Sequence, residues 1–78
     1  MIDGVDAAPK LDDLNRAREH VADGERRVAD QRRLLAELSR DGHSTDAAER
    51  LLRTLEDTLQ IMRDHLAVEE LLAREGPA

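Results

Sequence analysis

The segment LSRDGHSTDAAE, residues 38–49, decides the fold. It interrupts two long stretches of good helix formers. Gly42 can take the left-handed conformation that ends a helix. Ser44 or Thr45 can cap the next helix, with Asp46 and Glu49 placing negative charge in its first turn. Upstream, Lys10 to Arg40 contains no Pro, one Gly, and mostly Leu, Ala, Arg, Glu and Gln. Downstream, the same character runs to Arg74, where Gly76-Pro77 stops it. These signals predict helix 1 over about 10–40, a turn at 41–44, helix 2 over about 45–74 and a short tail at 76–78. Residues 1–9, MIDGVDAAP, lack periodicity and read as a flexible arm, with Pro9 suited to a helix's first turn. Two helices of about 45 Å joined by so short a turn must lie antiparallel. The expected fold is an all-α helical hairpin, a two-helix antiparallel coiled coil.

The apolar pattern supplies the seam. In helix 1 it runs through Leu14, Ala17, Val21, Gly24, Val28, Gln31, Leu35 and Leu38. In helix 2 it runs through Ala48, Leu52, Leu55, Leu59, Met62, Leu66, Glu69 and Ala73. Folding about the turn pairs residues whose numbers add to 86 or 87, so Leu38 meets Ala48, Leu35 meets Leu52 and Val28 meets Leu59. Gly24 then meets Met62, and Val21 meets Leu66. Small residues face large ones at several rungs, as interdigitated layers require. Gly24 costs about 1 kcal/mol in mid-helix relative to Ala, and close packing at the seam is the reason the pattern offers. Gln31, the polar residue deep in the helix 1 seam, reads as a device for register or association, bonding to Thr58 or to its counterpart in a second subunit.

The two flanks of the seam differ. On one, Arg32 faces Glu56, Glu25 faces Arg63 and Arg18 faces Glu70, all opposite in sign. Such exposed pairs contribute only tenths of a kcal/mol each, but a slide by one heptad opposes like charges, so they specify register. On the other flank helix 2 carries a second heptad stripe through Leu51, Thr54, Thr58, Ile61, His65, Val68 and Leu72, with Leu34 beside it on helix 1. One helical partner cannot cover both seams. The stripe therefore predicts an interface at Leu34, Leu51, Thr58, Ile61, His65, Val68 and Leu72, with two hairpins dimerising into a four-helix bundle. Small size and a core without aromatic rings point the same way.

Composition narrows the function. The 78 residues contain no Cys, Trp, Tyr or Phe, so neither a disulfide nor a thiol nucleophile is possible. With 18 acids against 12 bases the net charge is −6, which disfavours nucleic acid and anionic lipid as partners. Arg26-Arg27 and Arg32-Arg33 alternate with acids and have no aromatic neighbour to stack on a base, so they read as a solvated face. The longest apolar runs are three residues, too short for a membrane span or a secretory segment, and the expected compartment is the cytoplasm. Ser39 and Ser44 sit at the turn, away from any nucleophile–base–orienter set, and no Gly-rich phosphate loop is present. The chain is read as non-enzymatic, without catalytic residues, cofactor or bound metal.

The histidines are the remaining chemical candidates. The register sets His20 across from His65, with Glu19, Asp64 and Glu69 within a turn. Two imidazoles and a carboxylate could hold zinc, but no pair of His at i, i+4 accompanies them. A His-bearing four-helix bundle is also the architecture of phosphorelay proteins, so a phosphotransfer or metal-linked sensor using His20 and His65 is the alternative reading. The flanking residues, Leu66-Ala67-Val68-Glu69 and Val21-Ala22-Asp23, depart from the acidic box that follows the phosphorylated His in kinase dimerisation domains. His43 reads as a local staple against Ala47 or Ala48.

The run Gly24-Glu25-Arg26-Arg27-Val28-Ala29-Asp30-Gln31, followed by Leu38, Asp41-Gly42-His43, Thr45, Ala48, Leu51-Leu52, Leu55, Met62 and His65, resembles short, uncharacterised α-helical hairpin proteins of proteobacteria. The likeness spans about residues 16–66. It implies a bacterial, cytoplasmic, stand-alone hairpin and carries no activity with it. The 11 Arg against 1 Lys suit a GC-rich genome. The expected function is that of a small interaction or adaptor module, acting on itself as a homodimer and on another protein's helix.

Overall fold

The computed structural model describes residues 3–75, with backbone alone for residues 3–10. It is a helical hairpin 62 Å long, built from α1 (Asp3–Arg40) and α2 (Asp46–Arg74). No described helix is long and apolar enough to cross a membrane.

The reversal is built as its residues dictate. Gly42 adopts φ +75°, the left-handed region. The Gly42 N–H donates to the Ser39 carbonyl at 3.2 Å and the His43 N–H to the Leu38 carbonyl at 2.9 Å. These two bonds, six-to-one around five-to-two, satisfy carbonyls that the end of α1 would otherwise leave open. His43 contributes its backbone here; its side chain is exposed, as is that of Ala47, while Ala48, the other expected staple partner, is buried. Thr45 precedes α2, but its hydroxyl donates to the Glu49 carboxylate at 2.8 Å and caps no first-turn N–H group. The Ser44 hydroxyl accepts from the Asp46 N–H at 3.5 Å, the outer limit of a hydrogen bond.

The seam follows the expected heptads. Leu14, Ala17, Val28 and Gln31 of α1 are buried, and Val21, Gly24, Leu35 and Leu38 are half-buried. On α2, Ala48 and Leu59 are buried, and Leu52, Leu55, Met62, Leu66 and Glu69 are half-buried. Ala73 alone of that set is exposed, close to where α2 ends. Of the three expected flank pairs, Arg32–Glu56 forms at 2.8 Å and Glu25–Arg63 at 3.2 Å. Arg18 and Glu70 border the same shallow cleft at the open end without pairing.

Three details depart from the sequence reading. First, α1 begins at Asp3, so residues 3–9 of the expected arm are helical. Ala7 and Ala8 are strong helix formers, and Pro9 already holds a helical φ; its cost is one missing N–H toward the Val5 carbonyl. The ends of the chain, with the expected tail at 76–78, lie outside the described residues. Second, Gln31 bonds neither to Thr58 nor outward: its Nε2 donates to the Ala48 carbonyl at 3.0 Å, tying mid-α1 to the first turn of α2. Third, Gly24 is not opposite Met62 alone. A Cβ placed there would lie 3.0 Å from Leu59 Cδ1 and 3.3 Å from Met62 Sδ, so the glycine sits in the gap between two α2 side chains.

Two substitutions test this account. Nothing lies within 4 Å of a Cβ at Gly42, so Gly42→Ala should cost only its left-handed backbone, about 1–2 kcal/mol in urea unfolding followed by far-ultraviolet circular dichroism. At Gly24 the helix-propensity gain of Ala, about 1 kcal/mol, is opposed by crowding against the buried Leu59. Gly24→Ala should therefore not raise the melting temperature, whereas in a Leu59→Val background the same change should. A higher melting temperature from Gly24→Ala alone would show that close packing is not what the glycine serves.

Candidate functional site: the outer face of α2

Side-chain exposure picks out one continuous feature. The expected interface residues all lie exposed along α2: Leu51, Thr54, Thr58, Ile61, His65, Val68 and Leu72. Among the large apolar ones, exposure is 48% at Leu51, 68% at Ile61, 52% at Val68 and 49% at Leu72. Leu34, 44% exposed, lies beside the stripe on α1. The stripe arises because α2 is apolar over a wider arc than α1 can cover. The seam positions bury against α1, and the residues one and two steps further round the helix do not. Leu71 widens the stripe near its end, and Leu11 is exposed on α1. The sequence reading missed both. The Leu71-Leu72 doublet was the available sign of the first, while Leu11 lies just off the periodic positions of α1.

The α1 side of this face is charged. Asp13 pairs with Arg16 at 3.7 Å, Asp23 with Arg26 and Arg27, and Asp30 with Arg33 at 3.3 Å. In each the acid precedes the base by three or four residues, the favourable order along a helix. All are well exposed and contribute tenths of a kcal/mol each.

The histidines come together as expected and go no further. His20 and His65 flank one shallow cleft, with Ala17, Ile61 and Met62 on its floor and walls. His65 Nε2 lies 3.7 Å from a Glu69 carboxylate oxygen. Among the described residues, no group of three or more His, Asp or Glu is placed to hold a metal ion. Both imidazoles are exposed, and His65 belongs to the α2 stripe.

Compared with protein-family models, with curated proteins and with solved structures, the chain finds no match. The reading of the stripe rests on its own geometry.

Since both imidazoles are exposed in the single hairpin, the double substitution His20→Gln/His65→Gln should change the stability of the monomer in urea unfolding by no more than about 0.5 kcal/mol. A loss of several times that would reveal a structural role that exposure does not show.

Proposed function

We propose that the chain is a small, non-enzymatic, cytoplasmic interaction module that works by self-association and by docking a partner's helix on the outer face of α2. The observation that carries this reading is the exposure of Leu51, Ile61, Val68 and Leu72 on one line of heptad positions, with exposed Thr54, Thr58 and His65 between them. Heptad spacing is what a second helix recognises, because each turn presents an apolar side chain to the same line. Large exposed aliphatics gathered in a line are unusual on a monomer that stays alone. Covering each half-exposed side chain contributes about 1 kcal/mol, and both sides of a self-associated pair gain it.

The test is absolute mass in solution across a dilution series, by light scattering with refractive-index detection, since the chain has no Trp or Tyr to absorb at 280 nm. The expected mass is twice 8.8 kDa, persisting to low micromolar concentration. Ile61→Asp should return the protein to monomer, raising the dissociation constant at least ~100-fold, because it puts a charge where an apolar contact was. A wild-type protein that remains monomeric at high concentration would remove self-association from the reading.

A further inference from the structure

The two helices treat their aspartates differently. On the stripe side of α1 each is answered three residues later by an arginine: Asp13 by Arg16, Asp23 by Arg26 and Asp30 by Arg33. On α2, Asp57 and Asp64 stand along the outer edge of the stripe, four residues before and three after Ile61, and the same step leads to Gln60 and Ala67. Among the described residues neither carboxylate meets a base: Asp64 accepts from Gln60 Nε2 at 3.0 Å, while Arg63 reaches across to Glu25. Arg53 precedes Asp57 by four residues, the weaker order for an ion pair along a helix. Ile61, the most exposed large apolar side chain, is thus bordered by two exposed and unanswered carboxylates. We propose that the outer face of α2 receives an amphipathic helix of another protein, apolar along one line and carrying lysine or arginine where it passes Asp57 and Asp64. The inference rests on the docking reading above and adds the chemistry of the partner.

A helix that covers an apolar line also covers the edges of that line. In heptad packing the flanking residues of the two helices face each other, and their charges choose the partner. A second copy of this chain lacks the charge that these edges call for. Laid α2 to α2 along the whole stripe, an antiparallel copy sets Asp57 opposite Asp64 of the second copy. A parallel copy in register sets Asp64 beside Glu69 of the second copy. The stripe-side arginines of a second α1, Arg16 and Arg27, are already held by Asp13 and Asp23. Two chains of net charge −6 also repel at long range, whereas the same field draws in a basic helix. Nearer the turn the edge carries Arg50, so the bases belong at the middle of the partner helix, beside Ile61, and not along its whole length. Self-association is then the form the face takes alone, and a basic helix displaces it.

The probes are two synthetic helical peptides as long as α2, with the same composition and the same line of leucines. In the first, two lysines one heptad apart flank the line at its middle. In the second, those lysines exchange places with glutamines on the opposite face, so net charge is unchanged. Binding is followed by the fluorescence anisotropy of a label on the peptide. The first peptide should bind about fivefold more tightly than the second, and Asp57→Asn/Asp64→Asn should remove that preference. Glu19→Gln/Glu70→Gln, which takes the same charge from positions off the stripe, should leave it intact. In light scattering an excess of the first peptide should convert self-associated protein into one chain bound to one peptide. Equal affinity for the two peptides, or a preference that survives Asp57→Asn/Asp64→Asn, would overturn the basic partner and leave docking standing. A dimer that persists in excess of the first peptide would give the face to a second copy instead. Binding of neither peptide would overturn the docking reading, and this inference with it.

Discussion

The left-handed turn at Gly42 leaves only five residues, 41–45, between two long helices, and a connection that short admits one antiparallel register. Everything else in the hairpin inherits that placement. Arg32 reaches Glu56 and Arg63 reaches Glu25 because the turn sets their levels along the seam. Gly24 falls between Leu59 and Met62 for the same reason. The Gln31 bond to the Ala48 carbonyl acts as a second pin, one helical turn and more from the reversal. A neutral hydrogen bond of this kind contributes about 1 kcal/mol net, but a slipped register would leave the buried amide unsatisfied, which costs more. Register is thus held by a backbone constraint at one end and by polar specificity further along.

Two helices without aromatic rings cannot bury much. The buried side chains are few, and most seam leucines remain half-buried, because a helix pair encloses each residue on one side only. Among the described residues, α1 carries intrahelical Asp–Arg pairs, while α2 carries the His65–Glu69 contact and the Gln60–Asp64 hydrogen bond. Along α2 the aliphatic side chains continue past the seam. A third or fourth helix laid there would complete the enclosure that two helices cannot provide.

The seam was legible in the sequence because its signal is periodic and redundant: apolar positions and flank charges specify one register independently. Gly42 was legible because a single residue type suits its backbone. The start of α1 was not, since Gly4 and Pro9 read as breakers, and a helix already committed downstream can extend back through a proline at the loss of one hydrogen bond. Nor was the partner of Gln31, because a main-chain carbonyl has no letter of its own; every residue offers one, and only the packed geometry selects Ala48. The stripe was readable as positions, and the structure supplies the exposure that gives it meaning. The histidines illustrate the reverse: their adjacency follows from the register, yet among the described residues they and the nearby carboxylates form no group of three placed to hold a metal ion.

The difference between the two exteriors decides which helix can act. On α1 the positions facing the stripe side carry Leu34 and, around it, Asp13, Arg16, Asp23, Arg27 and Asp30, all five charged residues paired along their own helix. Docking a partner there would strip water from charges whose mutual attraction is too weak to replace it. On α2 the equivalent positions carry Leu51, Ile61, Val68 and Leu72, whose hydration is unfavourable from the start. The same heptad offsets thus give one face that resists burial and one that gains by it. Had α1 been equally apolar, either helix could have met either helix of a neighbour, and several assemblies would compete at similar energy. Gathering most of the exposed aliphatic side chains on α2, with Leu11 and Leu34 on α1, would disfavour those alternatives, as would the desolvation cost of the charged flank of α1.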